Sequence, residues 1–246
     1  MISFTKSEVG FYEINGLPAD IKAGCVGRAV TNIDYTQSRE QIRLAEKKIL
    51  GAAAKLPEKD ILTLEQVHGR DILIVEEKPA APCCIYGTAD AMITSIEEVC
   101  LVIRTADCVP VFLADKKSKA VGAVHSGWKG THLGISGAAA ALMKERFGCA
   151  GDDLLACILP SIGPHSYEVK EDVARYFPEH TAKRGGSLFV DLWGAVTASL
   201  LAEGIPQENI FNCGICNLQN TDEFFSHRHG DTGRNLNYIF ISHRNF

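Results

Sequence analysis

Apolar residues recur along the chain at two spacings, and each predicts its own kind of element. In QSREQIRLAEKKIL (residues 37–50), Ile42, Ala45 and Ile49 recur at helical spacing, and Ser38 with Gln41 three residues on forms a capping box, predicting a surface helix. ILTLEQVH (61–68) and DILIVEE (71–77) are short β-prone runs around Gly69. They read as a strand pair, followed by a loop carrying Pro79, Pro82, Cys83 and Cys84.

From residue 99 the runs become more apolar. VCLVIR (99–104), VPVFLA (109–114) and AVGAVH (120–125), the last two separated by the polar DKKSK turn, predict central sheet strands. His125 ends the last of these. GISGAAAALMKERFG (134–148) predicts a buried helix stopped by Gly148. LLACIL (154–159) predicts a further buried strand, PSIGPHSYEV (160–169) a loop, and DLWGAVTASLLAEG (191–204) a helix capped by Asp191. Strands joined partly by hairpins and partly through helices imply a mixed sheet, so the expected fold class is α+β, with residues 1–246 as one domain.

Composition narrows the functional classes. With 46% hydrophobic and 22% charged residues, the chain can bury a substantial core. A net charge of -5 with scattered cations supplies no basic stripe, so no nucleic-acid partner is expected. The first twenty residues hold no uninterrupted apolar segment and no run is long enough to cross a bilayer. No membrane partner is therefore expected, and the expected location is the cytoplasm. In that setting the nine cysteines read as reduced thiols, buried or metal-bound.

Three strand ends carry residues suited to metal chemistry: Gln66-Val67-His68-Gly69, Thr105-Ala106-Asp107-Cys108 and Val124-His125-Ser126-Gly127-Trp128. Two imidazoles and a thiolate with an open fourth position are the ligand set of a catalytic zinc site. Taken singly, each also has an ordinary structural explanation as a buried thiol or a satisfied histidine. Cys213 and Cys216 have Cys-X-X-Cys spacing without a second pair, which favours a structural role. His227 and His229 could chelate a metal or lie in a solvated loop, and Arg228 and Arg234 beside them suit an anion. Metalloprotease, base-deaminase, P-loop and dinucleotide-binding signatures are absent, as is a serine-hydrolase elbow.

EQVHG (65–69), ADAMIT (89–94), RTADCVPV (104–111), AVHSGWKG (123–130), PSIGPHSYEV (160–169) and FFSHRHGDTGR (224–234) together resemble the laccase-domain family. This family of YfiH-like proteins is also called polyphenol oxidase or purine nucleoside phosphorylase. The resemblance implies an α/β sandwich and zinc bound by His68, Cys108 and His125. It also implies phosphorolysis of adenosine, inosine and methylthioadenosine with deamination of adenosine, so that the partners are a purine nucleoside and phosphate. Asp90 or Asp107 could shuttle a proton, although each could equally cap backbone or orient a ligand histidine. Arg228 or Arg234 could hold phosphate.

The chain departs from that family at AGCVGRAVTNIDYTQS (23–38), which is shortened. It also carries His229 where a second arginine is common, and Ser126 and Lys129 where alanine and arginine are common. A multicopper mechanism needs several His-X-His pairs, and the eight histidines provide one, although Cu²⁺ could displace zinc in vitro at an N/S site. Two other readings use the same residues. Cys108 with His125 could form the nucleophile pair of a hydrolase or amidase acting on a cell-wall precursor. Alternatively, Cys216, His165 or His227 could close the site as a fourth ligand in a non-catalytic zinc-stabilised binding protein.

Overall fold

The computed structural model describes residues 1–8, 10–31, 33–81, 85–117 and 119–243, with the backbone alone at Lys59. Pro82, Cys83 and Cys84 of the predicted loop lie outside the described residues. Two large mixed sheets face each other. The first runs in the order Ser3–Lys6, Tyr12–Asn15, Ile21–Val26, Asn235–Ile241, Cys100–Thr105, Ile61–Glu65, Gly87–Thr88. The second runs Ile210–Asn212, Leu154–Ile158, Val109–Asp115, Val121–Ser126, Ala91–Thr94, Ile72–Val75. A small sheet of Glu168–Val169, Ser187–Val190 and Thr181–Arg184 pairs with neither, and its Val190 packs into the core cluster of the second.

Strand periodicity places the layers. Leu62, Leu64, Leu101, Ile103 and Ile239 of the first sheet pack with Met92, Phe112, Val121 and Ala123 of the second. Their alternates Ile61, Cys100, Val102, Leu236 and Phe240 turn outward against Leu50 of helix Arg39–Ala54. On the far side, Ile93, Val111, Leu113 and Val124 pack with Ala139 and Met143 of helix Ile135–Phe147 and with Val196 and Leu200 of helix Leu192–Ala202. Both faces of the central strands are therefore covered, which is why their runs read as continuously apolar. Each fully buried Leu or Phe in these layers contributes about 2 kcal/mol. The expected α+β sandwich is observed. Among the described residues, no helix is long and apolar enough to cross a membrane.

Local signals hold at the helix ends. Ser38 and Gln41 form the reciprocal capping box, Asp191 accepts from the Gly194 amide at 2.9 Å, and Gly148 ends its helix at φ 64.

Three expectations are corrected. Ile61–Glu65 and Ile72–Val75 do not pair. The first lies parallel to Cys100–Thr105 in one sheet, and the second lies parallel to Ala91–Thr94 in the other. The Gln66–Asp71 connection crosses between sheets, which two adjacent β-prone runs cannot reveal. Asn235–Ile241, to which the residue pattern assigned no element, takes a central position in the first sheet. Its asparagines disguise it, since Asn is depleted in strands, yet Asn237 Nδ2 donates to Ile103 O at 3.1 Å and Asn235 Nδ2 to Phe225 O at 2.9 Å. Finally, helix Arg39–Ala54 buries Arg43, Glu46, Lys47 and Leu50, while Ile42, Ala45 and Ile49 are only partly covered.

Candidate active site

His68, Cys108 and His125 are brought together by the crossovers between the two sheets. His68 follows Ile61–Glu65 and precedes Ile72–Val75, so it lies where the chain leaves the first sheet for the second. Cys108 occupies the equivalent connection from Cys100–Thr105 to Val109–Asp115. Because Ile61–Glu65 and Cys100–Thr105 are parallel, both crossovers emerge at the same end of the sandwich. His125 reaches that end from within Val121–Ser126, opposite Pro110. The ligand atoms of the three residues lie within 4.8 Å of one another, and the two imidazole rings meet edge-on at 4.8 Å.

Gly127 makes this convergence sterically possible. A Cβ there would sit 3.0 Å from His68 Cδ2 and 3.1 Å from Cys108 Sγ, so close that both would have to give by a few tenths of an ångström.

Asp90 organises the corner. Its fully buried carboxylate receives the His68 amide at 2.9 Å and the Gly69 amide at 2.6 Å, which holds His68 at the left-handed φ of 59. The same Oδ1 is 2.7 Å from His125 Nδ1, directing Nε2 of that ring to the cluster. Burial opposes this carboxylate's charge, but His125 and the amides hold it below its ordinary range. Burial likewise acts to raise the Cys108 thiol, yet His125 and His68 draw it down to about 6. His125, which burial would lower, is held up at about 9 by Cys108 and Asp90. The two shifts run in opposite directions, each favouring the charged form beside the other, and a cation bound here would compete with the proton.

Asp107 has a different task. Its Oδ1 accepts from Ser226 Oγ at 2.7 Å and its Oδ2 from the Arg228 amide at 2.8 Å, fastening the 226–228 turn beside Cys108.

The three metal-capable residues line a cavity of about 900 Å³, and Arg228, Arg234 and His227 line it too. Arg228 lies over the Tyr167 ring at 5.1 Å and donates to Glu168 O at 2.8 Å. Arg234 donates to Thr232 O and Gly233 O at 2.8 and 2.7 Å. His229 is not among the lining residues and instead approaches Asp231 Oδ2 at 3.5 Å. Of the suggested fourth ligands, Cys216 Sγ accepts from the Gly163 amide at 3.2 Å and His165 meets Arg184 at 2.6 Å. Among the described residues, neither these two nor His227 joins the metal-capable group. Cys213 and Cys216 are free thiols.

Several lining residues had not been singled out as site residues. Tyr35, from the shortened segment, lines the cavity, as do Tyr167, Gln66, Arg43 and Arg104. Arg104 carried a visible signal, being a lone cation in the apolar run VCLVIRT. Arg43 carried none, because it looks like one of many charges on an exposed helix.

Residues 30–242 match the family described as multi-copper polyphenol oxidoreductase laccase. A protein of Bacteroides thetaiotaomicron named purine nucleoside phosphorylase is 33% identical over 219 residues, covering 82% of this chain and 80% of that protein. The Escherichia coli purine nucleoside phosphorylase YfiH is 31% identical over 206 residues, covering 79% of each. The crystal structure of YlmD from Geobacillus stearothermophilus superposes with a TM-score of 0.89 at 25% identity, covering 99% of this chain and 100% of that one.

Proposed function

The chain belongs to the multi-copper polyphenol oxidoreductase laccase family, and on that footing we propose that it is a zinc-dependent purine nucleoside phosphorylase. It splits adenosine, inosine and methylthioadenosine with phosphate and deaminates adenosine at the same site, in the cytoplasm. The observation that carries this reading is the convergence of His68, Cys108 and His125 on one wall of a cavity large enough for a nucleoside.

Two imidazole nitrogens and a thiolate suit zinc, and the missing Cβ of Gly127 leaves room for their approach. Zinc held by these three residues would supply a Lewis acid facing the cavity. Asp90 fixes the orientation of His125 and the His68 turn. Arg228 and Arg234 hold phosphate against the sugar, and Tyr35, Trp128 and Tyr167 cover the purine and exclude water. Asp90 and Asp107 act as positioning residues rather than proton shuttles, because their oxygens are already engaged.

The oxidase part of the family description is not carried over to this chain. His227 and His229 are the sole His-X-His pair among its eight histidines.

Chromatography of products from the zinc-loaded protein and adenosine, with and without phosphate, tests the proposal beside Cys108→Ala. Adenine is expected only with phosphate and inosine without it, with neither from the variant. No product from adenosine, inosine or methylthioadenosine would sink it. One observation favours a second reading: the ligand atoms of Cys108 and His125 lie within 4.8 Å of each other, with the thiol drawn down and the imidazole held up, which would also serve a cysteine hydrolase or amidase acting on a cell-wall precursor. Turnover that survives chelation but stops on thiol alkylation would select that chemistry.

A further inference from the structure

Beside the metal-capable residues, the cavity has a second built feature. Arg43 and Glu46 project from helix Arg39–Ala54, one turn apart, and meet Arg104 from strand Cys100–Thr105. Glu46 is completely buried, and its Oε1 takes both Nε and Nη2 of Arg104 at 2.9 and 2.7 Å. The strand is fixed as well. Gln66 accepts from the Arg104 amide and donates to the Arg104 carbonyl, each at 2.8 Å.

Arg43 remains unfinished. Its side chain is 8% exposed and its Nη2 donates to Leu64 O at 2.9 Å, but Nη1 has no hydrogen-bond partner. The facing Glu46 Oε2, at 3.9 Å, is beyond hydrogen-bond reach and is itself unpartnered. A buried cationic N–H without an acceptor is costly, so it marks a place where one is missing. Arg234, pinned by its own loop carbonyls, adds a third guanidinium. Burial and then the neighbouring Arg104 push its ionisation downward. At the rim, Glu65 lies 3.6 Å from Arg39 and 3.7 Å from Arg43 Nη2, beyond hydrogen-bond reach of either. Arg39, Arg43, Arg104 and Arg234 against Glu46 and Glu65 leave two positive charges, the complement of a dianion.

We propose that Arg43 and Arg104 join Arg234, already assigned to phosphate, in a phosphoryl-dianion subsite of this cavity, with Glu46 as the positioning residue that aims the Arg104 fork. The choice of a phosphoryl group rests on the phosphorylase reading, whereas the anion site stands on the geometry alone. Two sources share this chemistry: free phosphate as co-substrate, or the phosphate ester of a nucleotide. Planar guanidinium forks match either through paired N–H donors.

Calorimetric titration of the full chain, with and without chelator, would test this using inorganic phosphate, adenosine 5′-monophosphate and uncharged adenosine. Chelator-independent phosphate binding is expected, weakened about tenfold or more in Arg104→Gln and also in Arg234→Gln, whose loop position spares the core. Glu46→Gln keeps an acceptor oxygen to aim the Arg104 fork while removing the competing charge, so it should tighten binding about threefold. Tighter binding of the monophosphate than of phosphate or adenosine would identify an ester as the ligand, and the reverse would identify free phosphate. No phosphoryl binding, or equal affinity in all folded chains, would overturn the subsite. Arginine-dependent phosphate binding without adenosine cleavage would overturn only the phosphorylase reading, and adenosine cleavage with phosphate affinity unchanged by Arg104→Gln would overturn only the subsite.

Discussion

The cavity has two worked walls, and they differ in how completely the protein satisfies its own groups. At the metal-capable corner, Asp90 occupies both carboxylate oxygens with amides and an imidazole, and Cys108 and His125 each favour the other's charged form. At the arginine wall, Arg43 Nη1 and Glu46 Oε2 are buried 3.9 Å apart without hydrogen-bond partners, and like charges crowd together. The corner is held in shape by the chain alone. The wall carries charge that a ligand would complete. Preorganisation and incompleteness thus sit side by side, as expected where one group must be held rigidly and another must be received.

Cys108→Ala breaks the comparison most severely. Metal content measured on the purified protein should fall from about one per chain to nearly none, while the fold and phosphate binding persist. Next is Asp90→Asn, which frees the His68 turn and His125 while leaving the arginines untouched. Metal affinity should drop about 10–100-fold with phosphate affinity unchanged, and a parallel loss of both would show that the walls are not separate. Gly127→Ala probes geometry without removing a ligand. Its new methyl displaces His68 or Cys108, and competition with a chelator should read a loss of about tenfold in metal affinity. Ser38→Ala acts on the other wall alone by uncapping the helix that carries Arg43 and Glu46. It should cost about 1 kcal/mol in denaturant unfolding, with metal affinity unaltered.

The corner was far more legible in the sequence than the wall. His68, Cys108 and His125 stand beside Gly69, Val109 and Gly127 at strand ends, where unusual residue types are conspicuous against apolar runs. The partners that organise them were less visible. Asp90 was weighed as a proton shuttle, although its four contacts make it a positioning group. Arg43 and Glu46 escaped notice because hydrophobic periodicity assumes that charges face solvent. Here they are buried against Arg104, Leu64 O and one another, so the half-buried apolar stripe Ile42–Ala45–Ile49 marked the edge of the buried face rather than its centre. Asn235–Ile241 was hidden for a related reason, since its asparagines satisfy their amides inside the sheet.

By itself the sequence determined what short-range physics controls: the capped helices, the apolar strands, the α+β class and the residue types able to bind a metal. The tertiary structure decided which strands share a sheet, and with that where the crossovers emerge, which buried charges find partners and which do not. Those outcomes depend on groups far apart in the chain, such as Gln66 with Arg104 or Asp107 with Ser226, whose energies exist only once the two sheets have closed on each other.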